Sequence, residues 1–351
     1  MDPEAKQEQI INETFLDDII SDKLSTPRLL KDRNNVEFDK AAQHFINLLE
    51  RAKGFSPIKT AVVHPTDKES LLGAIRAAQL DIITPILVGP KFKIEAVAKE
   101  CNVNIDNYII INVQHSHEAA KKAVEMASKG EVAALMKGSL HTDELMSEVV
   151  HKERGLRTER RMSHAFLMAV STFPKPFIIT DAAINIRPTL EEKKDIVQNA
   201  IDLMHIIGTN KEVRVAILSA VETVTSTIPT TLDAAALSKM ADRDQIRNAL
   251  VDGPLAFDNA ISLFAAEAKG IHSKVSGNAD ILMVPDLESG NMLSKQLKYL
   301  GNALMAGIVL GAKVPIILNS RSDPMDMRVI SCVLASFIYN DAKTKLANLE
   351  I

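Results

Sequence analysis

Cysteine is almost missing from this sequence: only Cys101 and Cys332 occur, and there is no tryptophan at all. Two thiols so far apart exclude a disulfide framework, and neither has His or Cys neighbours at zinc-ligand spacing. Neither sign of charge dominates, with 41 Lys and Arg against 45 Asp and Glu and a formal net charge of −4. That balance gives no overall pull toward nucleic acid or an anionic membrane, though it leaves room for a local basic pocket. Long apolar runs are absent as well: the best candidates, such as residues 303–312, contain glycine and fall short of the ~18 residues a membrane span needs. The opening MDPEAKQEQIINETFLDD lacks the basic and apolar regions of a secretory signal, so the cytoplasm is the expected compartment. No GxGxxG follows a strand, and no GxxxxGKS/T, HExxH or GxSxG occurs. Dinucleotide, P-loop, metalloprotease and α/β-hydrolase readings all lose support. What is present is ordinary for a soluble protein: 351 residues, 46% hydrophobic and 25% charged. At roughly 100–200 residues per domain, two domains are expected.

Two helices are predicted at the front, one from Ile11, Phe15 and Ile19 and one from Phe38, Ala42, Phe45 and Leu49, both at helical spacing. Residues 1–35 are expected to be a helical leader in which no chemistry is evident. From Thr60 onward short apolar runs alternate with amphipathic ones. Strands are predicted at 61–63, 85–88, 108–113, 132–136, 177–180, 213–219, 249–251, 281–284 and 314–318. Helices are predicted at 190–207, 231–242, 258–269, 292–304 and 324–339, among others. Such alternation, with continuously apolar strands, implies parallel β-α units buried on both faces. The fold class is α/β, arranged in two sheets.

In open α/β sheets ligands bind beyond the carboxyl ends of strands, and three exits stand out. After 132–136 comes Lys137-Gly138-Ser139-Leu140-His141-Thr142, where glycine and hydroxyls at a helix start suit an anion and Lys137 adds a point charge. Plain capping by Ser139 or Thr142 explains the same residues, and a lone His141 is more often structural than a ligand. After 281–284 comes Pro285-Asp286-Leu287-Glu288-Ser289-Gly290-Asn291, a loop whose end could set backbone amides against a ligand, with Lys295 one helical turn further on. A turn capped by Asn291 is the bland alternative. After 314–318 comes Asn319-Ser320-Arg321-Ser322-Asp323-Pro324-Met325-Asp326. Helix capping accounts for Asp323 and Pro324 but not for Ser320 and Arg321 at the strand's mouth. Arg suits bidentate phosphate or carboxylate binding, a Ser hydroxyl can donate to an oxyanion, and Asp326 could take a proton.

These exits, with Asp252-Gly253-Pro254-Leu255, Asp258-Asn259-Ala260 and the run SGNADILMVPDLESGN over 276–291, resemble the phosphate acetyl/butyryltransferase family. The resemblance spans roughly residues 60–339. It implies a reversible transfer of a short acyl group, acetyl favoured and butyryl as second choice, between CoA and inorganic phosphate. No cofactor is implied beyond these substrates, acyl-CoA, phosphate and acyl phosphate. It also implies a two-domain fold like the isocitrate/isopropylmalate dehydrogenases, usually as a homodimer. The first domain would join 36–163 with 319–351, and the second would cover 164–318. By resemblance an Asp beyond the Ser-Arg pair, Asp326 or Asp323, deprotonates the CoA thiol, which attacks the acyl phosphate carbonyl directly. Ser320 holds the developing oxyanion and Arg321 the phosphate. Substrate contacts are expected from Lys137, Gly138, Ser139, His141, Thr142, Asp286, Ser289, Gly290, Asn291 and Lys295.

Two departures stand out. The second acid of the acetyl-type acidic pair is Met327 here, and the Arg expected shortly after His-Thr is replaced by Met146 and Ser147. The cluster Arg154, Arg157, Arg160 and Arg161 could supply that cation, Arg160 being the candidate, unless it is a solvated basic loop. The run RTERRMSHAFLM over 157–168 resembles the branch of butyryltransferases and hydratase–transacetylase fusions. Two other readings compete: a hydroxy-acid dehydrogenase of similar fold using nicotinamide and Mg²⁺, and a non-catalytic CoA-binding relative. The first needs a metal-binding carboxylate cluster and an adenine-binding segment that the sequence does not show.

Overall fold

The computed structural model describes residues 35–208 and 212–349; the stripe Ile11, Phe15 and Ile19, with the rest of the expected leader up to residue 34, lies outside them. A first helix, α1 (Asn35–Ala52), buries Ala42, Phe45 and Leu49, which share one face at i, i+3 and i+7 spacing. Four β-α units follow: β1 (Ile58–Val63), α2 (Lys68–Gln79), β2 (Ile83–Gly89), α3 (Lys91–Glu100), β3 (Ile109–Asn112), α4 (Ser116–Ser128), β4 (Ala134–Lys137) and α5 (Thr142–Val149). The chain then forms β5 (Ser163–Ala169), β6 (Phe177–Thr180), α6 (Leu190–Ile207), β7 (Val213–Leu218), α7 (Pro229–Asp242) and β8 (Ala249–Leu255). It ends with α8 (Phe257–Ile261), α9 (Leu263–Ala268), β9 (Ile281–Met283), α10 (Leu287–Tyr299), β10 (Leu304–Leu310), β11 (Ile316–Ile317) and α11 (Met325–Leu349).

The α/β class holds, but the expected two sheets are one. Among the described residues eleven strands join in the order β3-β2-β1-β4-β11-β10-β5-β6-β9-β7-β8. The seam is β5 and β10, which pair antiparallel from Leu304↔Ala169 through Leu310↔Ser163. Neither strand is visible in the sequence pattern, because both are rich in Ala, Leu and Met, which favour helix in isolation. Every residue of both is buried, and burial at the centre of a sheet overrides that preference. The helix expected to run to 304 accordingly stops at Tyr299. The helix expected over 258–269 is broken at Ser262, whose hydroxyl accepts from Ala265 N–H and starts α9.

Because β10 runs antiparallel to β11 and β5, and β5 antiparallel to β6, the two outer blocks of parallel strands point in opposite directions. Exits of β1, β4 and β11 therefore lie at one end of the sheet, and exits of β6 and β9 at the other. The C-terminal helix α11 returns to the first block and packs on α1, α2 and β10. Gly73 in α2 permits this closeness at one point, since a Cβ there would lie 2.9 Å from Cδ of Arg328.

Candidate active site

Strand register assembles the site. Val63 pairs with Lys137 and Met136 with Ile317, so the loops leaving β1, β4 and β11 emerge side by side. The first two are stitched together: Gly138 N–H donates to Val63 O at 2.9 Å, Ser139 N–H to His64 O at 2.8 Å, and His64 Nδ1–H to Ser139 O at 3.0 Å. A Cβ on Gly138 would sit 2.5 Å from Val63 O and 2.6 Å from His64 O. The glycine is thus required by close backbone approach. Gly138→Ala is expected to cost about 1–3 kcal/mol of stability, measurable as a lowered denaturation midpoint with unchanged m; an unchanged midpoint would contradict this packing.

Positive charge gathers at this end. Lys137 is only 4% exposed, and its ammonium donates to Gly138 O at 3.3 Å. Burial, reinforced by the nearby guanidinium groups of Arg328 and Arg321, lowers its pKa to about 8, while Asp67 and Asp323 oppose the shift. Arg328, 1% exposed, is likewise pushed below the usual arginine range by burial, with Asp67 and Asp323 opposing. Asp67 spends one carboxylate oxygen on the α2 N-cap, accepting from Ser70 N–H at 2.8 Å. His64, held in the left-handed region at φ 57°, is lowered below its usual pKa chiefly by burial.

The loop after β11 is built around Asp323. This side chain is fully buried; one oxygen accepts from Ser320 N–H at 2.7 Å and the other from Lys298 Nζ at 2.6 Å. Asp323 N–H donates back to Ser320 O at 3.1 Å, and Tyr299 Oη lies 3.1 Å from Ser322 Oγ. Ser320 and Arg321 are left exposed at the mouth of the strand. With both oxygens engaged, Asp323 organises the loop and is not placed as a thiol base. Nor is it a helix cap as expected, for its carboxylate turns back to Ser320. Asp326 is buried in the first turn of α11.

Several predicted residues are placed elsewhere. Residues 287–291 are not a loop but the start of α10: Asp286 caps it, accepting from Ser289 N–H at 2.8 Å, and Ser289 Oγ returns to Asp286 O at 3.0 Å. A Cβ on Gly290 would meet Asp181 O at 2.9 Å, and Asn291 Nδ2 donates to Ala182 O at 3.2 Å. Gly290 and Asn291 dock the helix against the β6 exit, whose strand runs opposite to the one that leads to Ser320. Lys295 is exposed; the α10 cation that reaches the site is Lys298, one turn further. In the arginine cluster Arg160 pairs with Asp202, Arg154 with Glu148 and Arg161 with Glu192. Arg160 thus faces α6 and does not replace the missing arginine. His141, not Ser139 or Thr142, is the N-cap of α5, its N–H donating to Glu144 at 3.2 Å.

Lys298 and Arg328 escaped sequence reasoning. Lys298 belongs to a helix whose far end carries the recognisable motif. Arg328 sits two positions beyond Asp326 and outside the acidic pattern of the motif. A cavity of about 740 Å³ lined by Asp202, His205, Glu212, Asn248 and Asp341 opens at the N-terminal ends of β7 and β8, remote from this cluster. Among the described residues no three His, Cys, Asp or Glu side chains converge as a metal site.

Known proteins give the arrangement a context. Residues 113–336 match the model of the phosphate acetyl/butaryl transferase family. The phosphate acetyltransferase of Rickettsia felis is 77% identical over 342 residues, 97% of this chain and 98% of that protein. The phosphate butyryltransferase of Clostridium acetobutylicum is 38% identical over 295 residues, covering 84% and 97%. Among solved structures, a branched-chain phosphotransacylase from Enterococcus faecalis superposes with TM-score 0.70 at 28% identity, covering 80% of this chain and 99% of that one. A putative 4-hydroxythreonine-4-phosphate dehydrogenase from Salmonella typhimurium, at 11% identity, TM-score 0.51 and coverage of 81% and 100%, shares the fold alone. With more than half its length matched by the family model and a relative at 77% identity, the chain belongs to the phosphate acetyl/butyryl transferase family.

Proposed function

We propose that this protein is a phosphate acetyltransferase, moving an acetyl group reversibly between CoA and inorganic phosphate. The observation that carries the site assignment is the cluster of Lys137, Arg321 and Arg328 beside exposed Ser320. The carboxylate of Asp323 is already committed to Lys298, so the cluster retains positive charge for an anionic substrate. The 77% identity to an acetyltransferase against 38% to a butyryltransferase favours the shorter acyl group, and weighs against the dehydrogenase alternative.

In the direction of acetyl-CoA synthesis, Asp326 takes the proton of the CoA thiol, whose free pKa is roughly 8.5. The thiolate sulfur bonds to the carbonyl carbon of acetyl phosphate. Ser320 Oγ–H donates to the oxygen that becomes negative, and the C–O bond to phosphate then breaks. Arg321 and Lys137 hold the departing phosphate, where charge in a partly dry site is worth more than in water. No acyl-enzyme forms. The two-domain division at 163/164 and 318/319, a homodimeric state and a cytoplasmic location belong to the same proposal. The return of α11 to the first block supports the domain division.

The test is thiol release from acetyl-CoA and butyryl-CoA with and without phosphate. Phosphate-dependent release, faster with acetyl-CoA, is expected. A butyryl-CoA preference would reassign the acyl group, and no phosphate-dependent release from either would overturn the function.

A further inference from the structure

Resting on that assignment, the geometry points to Arg328 as an unassigned positioning residue of the transferase. It clamps the peptide carbonyl of Ser320 and lends its charge to the phosphate pocket from below. Ser320 is held from two sides by buried charged side chains. Asp323 accepts its N–H at 2.7 Å, and Arg328 Nη2 donates to its carbonyl oxygen at 2.9 Å. The carbonyl held by Arg328 is the one to which Asp323 N–H closes the turn. The guanidinium therefore fixes, together with the Asp323 carboxylate, the turn that aims Ser320 Oγ and Arg321.

Structural need alone does not call for an arginine here. Burying a guanidinium is costly unless it is fully paired, yet Nε of Arg328 has no hydrogen-bond partner. The side chain is laid against Gly73, where any Cβ would clash with it, and above buried Cys332. An apolar residue of similar length would fill this space without that penalty. What the arginine adds is a rigid planar donor for Ser320 O and a positive charge close to Lys137, whose other charged neighbours are Arg321, Asp67 and Asp323. Lysine could supply the charge but not the fork geometry.

The variants R328M and R328K separate the two contributions in steady-state assays with phosphate and acetyl-CoA varied across a window of about pH 6–9, which spans the pKa of about 8 to which Lys137 is lowered. R328M is expected to lose about ten- to a hundredfold in kcat, the worth of a hydrogen bond to a charged group. Its KM for phosphate should rise while that for acetyl-CoA holds. The alkaline limb of its phosphate profile should also move to higher pH, because Lys137 is relieved of a like charge. R328K is expected to keep the phosphate KM and the limb near wild type and to lose only kcat. A purely structural arginine would alter the melting temperature and leave KM and the limb unmoved; that result, with wild-type kcat, overturns the proposal. Should R328M fail to fold, R328K decides, and an undiminished kcat there is equally fatal. If the wild type itself shows no phosphate-dependent thiol release, the transferase assignment is what fails.

Discussion

Ser320→Ala is expected to lower kcat by on the order of 10²–10³, the usual loss when one oxyanion donor is removed, with almost no change in stability. The reason for the contrast is local. Ser320 is exposed, and among the described residues its hydroxyl hydrogen-bonds to Ser322 alone, at 3.1 Å from Oγ and 3.5 Å from N. The backbone of Ser320, not its side chain, carries the loop's structure, through Asp323 and Arg328. Exposed side chains away from such networks change stability by about 0.5 kcal/mol or less. Arg321→Ala should behave alike in stability, since no hydrogen bond or ion pair ties its exposed side chain to a described residue. Its kinetic loss should fall mainly on phosphate. Turnover with saturating substrates, read beside a thermal melt, checks both; wild-type rates in either variant would contradict the assigned role.

Lys137→Met is expected to move function and stability in opposite directions. Removing a buried cation that faces the anion should cost on the order of 10² in kcat/KM for phosphate. Replacing an imperfectly paired buried charge with an apolar chain of similar volume should raise stability by about 1–3 kcal/mol. The lysine is buried, donates to the Gly138 carbonyl and feels the guanidinium groups of Arg328 and Arg321, which is why the folded protein holds its pKa at about 8. The sign of the pH effect follows directly. Below pH 8 the ammonium is present and phosphate is bound; as pH rises through 8 the charge is lost and the KM for phosphate climbs. Stability runs the other way, because the unfolded chain binds this proton more tightly than the folded one between the folded and unfolded pKa values, and so rises with pH there. A K137M protein with lower stability and normal use of phosphate would refute both halves.

The features legible in the sequence were those written in local chemistry. Ser320-Arg321 at one exit stands out as residue types that turns and caps do not require, Lys137-Gly138 at another suits an anion as well as a turn, and register brings those two exits together. Helix α6 was legible to the residue because Thr189 and Glu192 form a capping box and Gly208 closes it in the left-handed region. What stayed hidden depends on the whole sheet. Strands β5 and β10 are Ala-, Leu- and Met-rich, and only their burial between two blocks makes them strands. Once they reverse the sheet's direction, the Asp286–Asn291 motif follows a strand that runs opposite to the one before Ser320, and its Gly290 and Asn291 become anchors for α10. Length along that helix then delivers Lys298, which no motif marks, to Asp323. Arg160 looked available because its partner, Asp202, is 42 positions away.

The most direct measurement is diffraction from crystals soaked in inorganic phosphate at pH 7, a little below the point where Lys137 loses its proton. Tetrahedral density is expected within hydrogen-bonding reach of Lys137 Nζ and the Arg321 guanidinium, with Ser320 Oγ open toward the remaining space. Phosphate bound only elsewhere, with these two cations turned toward protein or bulk water, would contradict the central assignment.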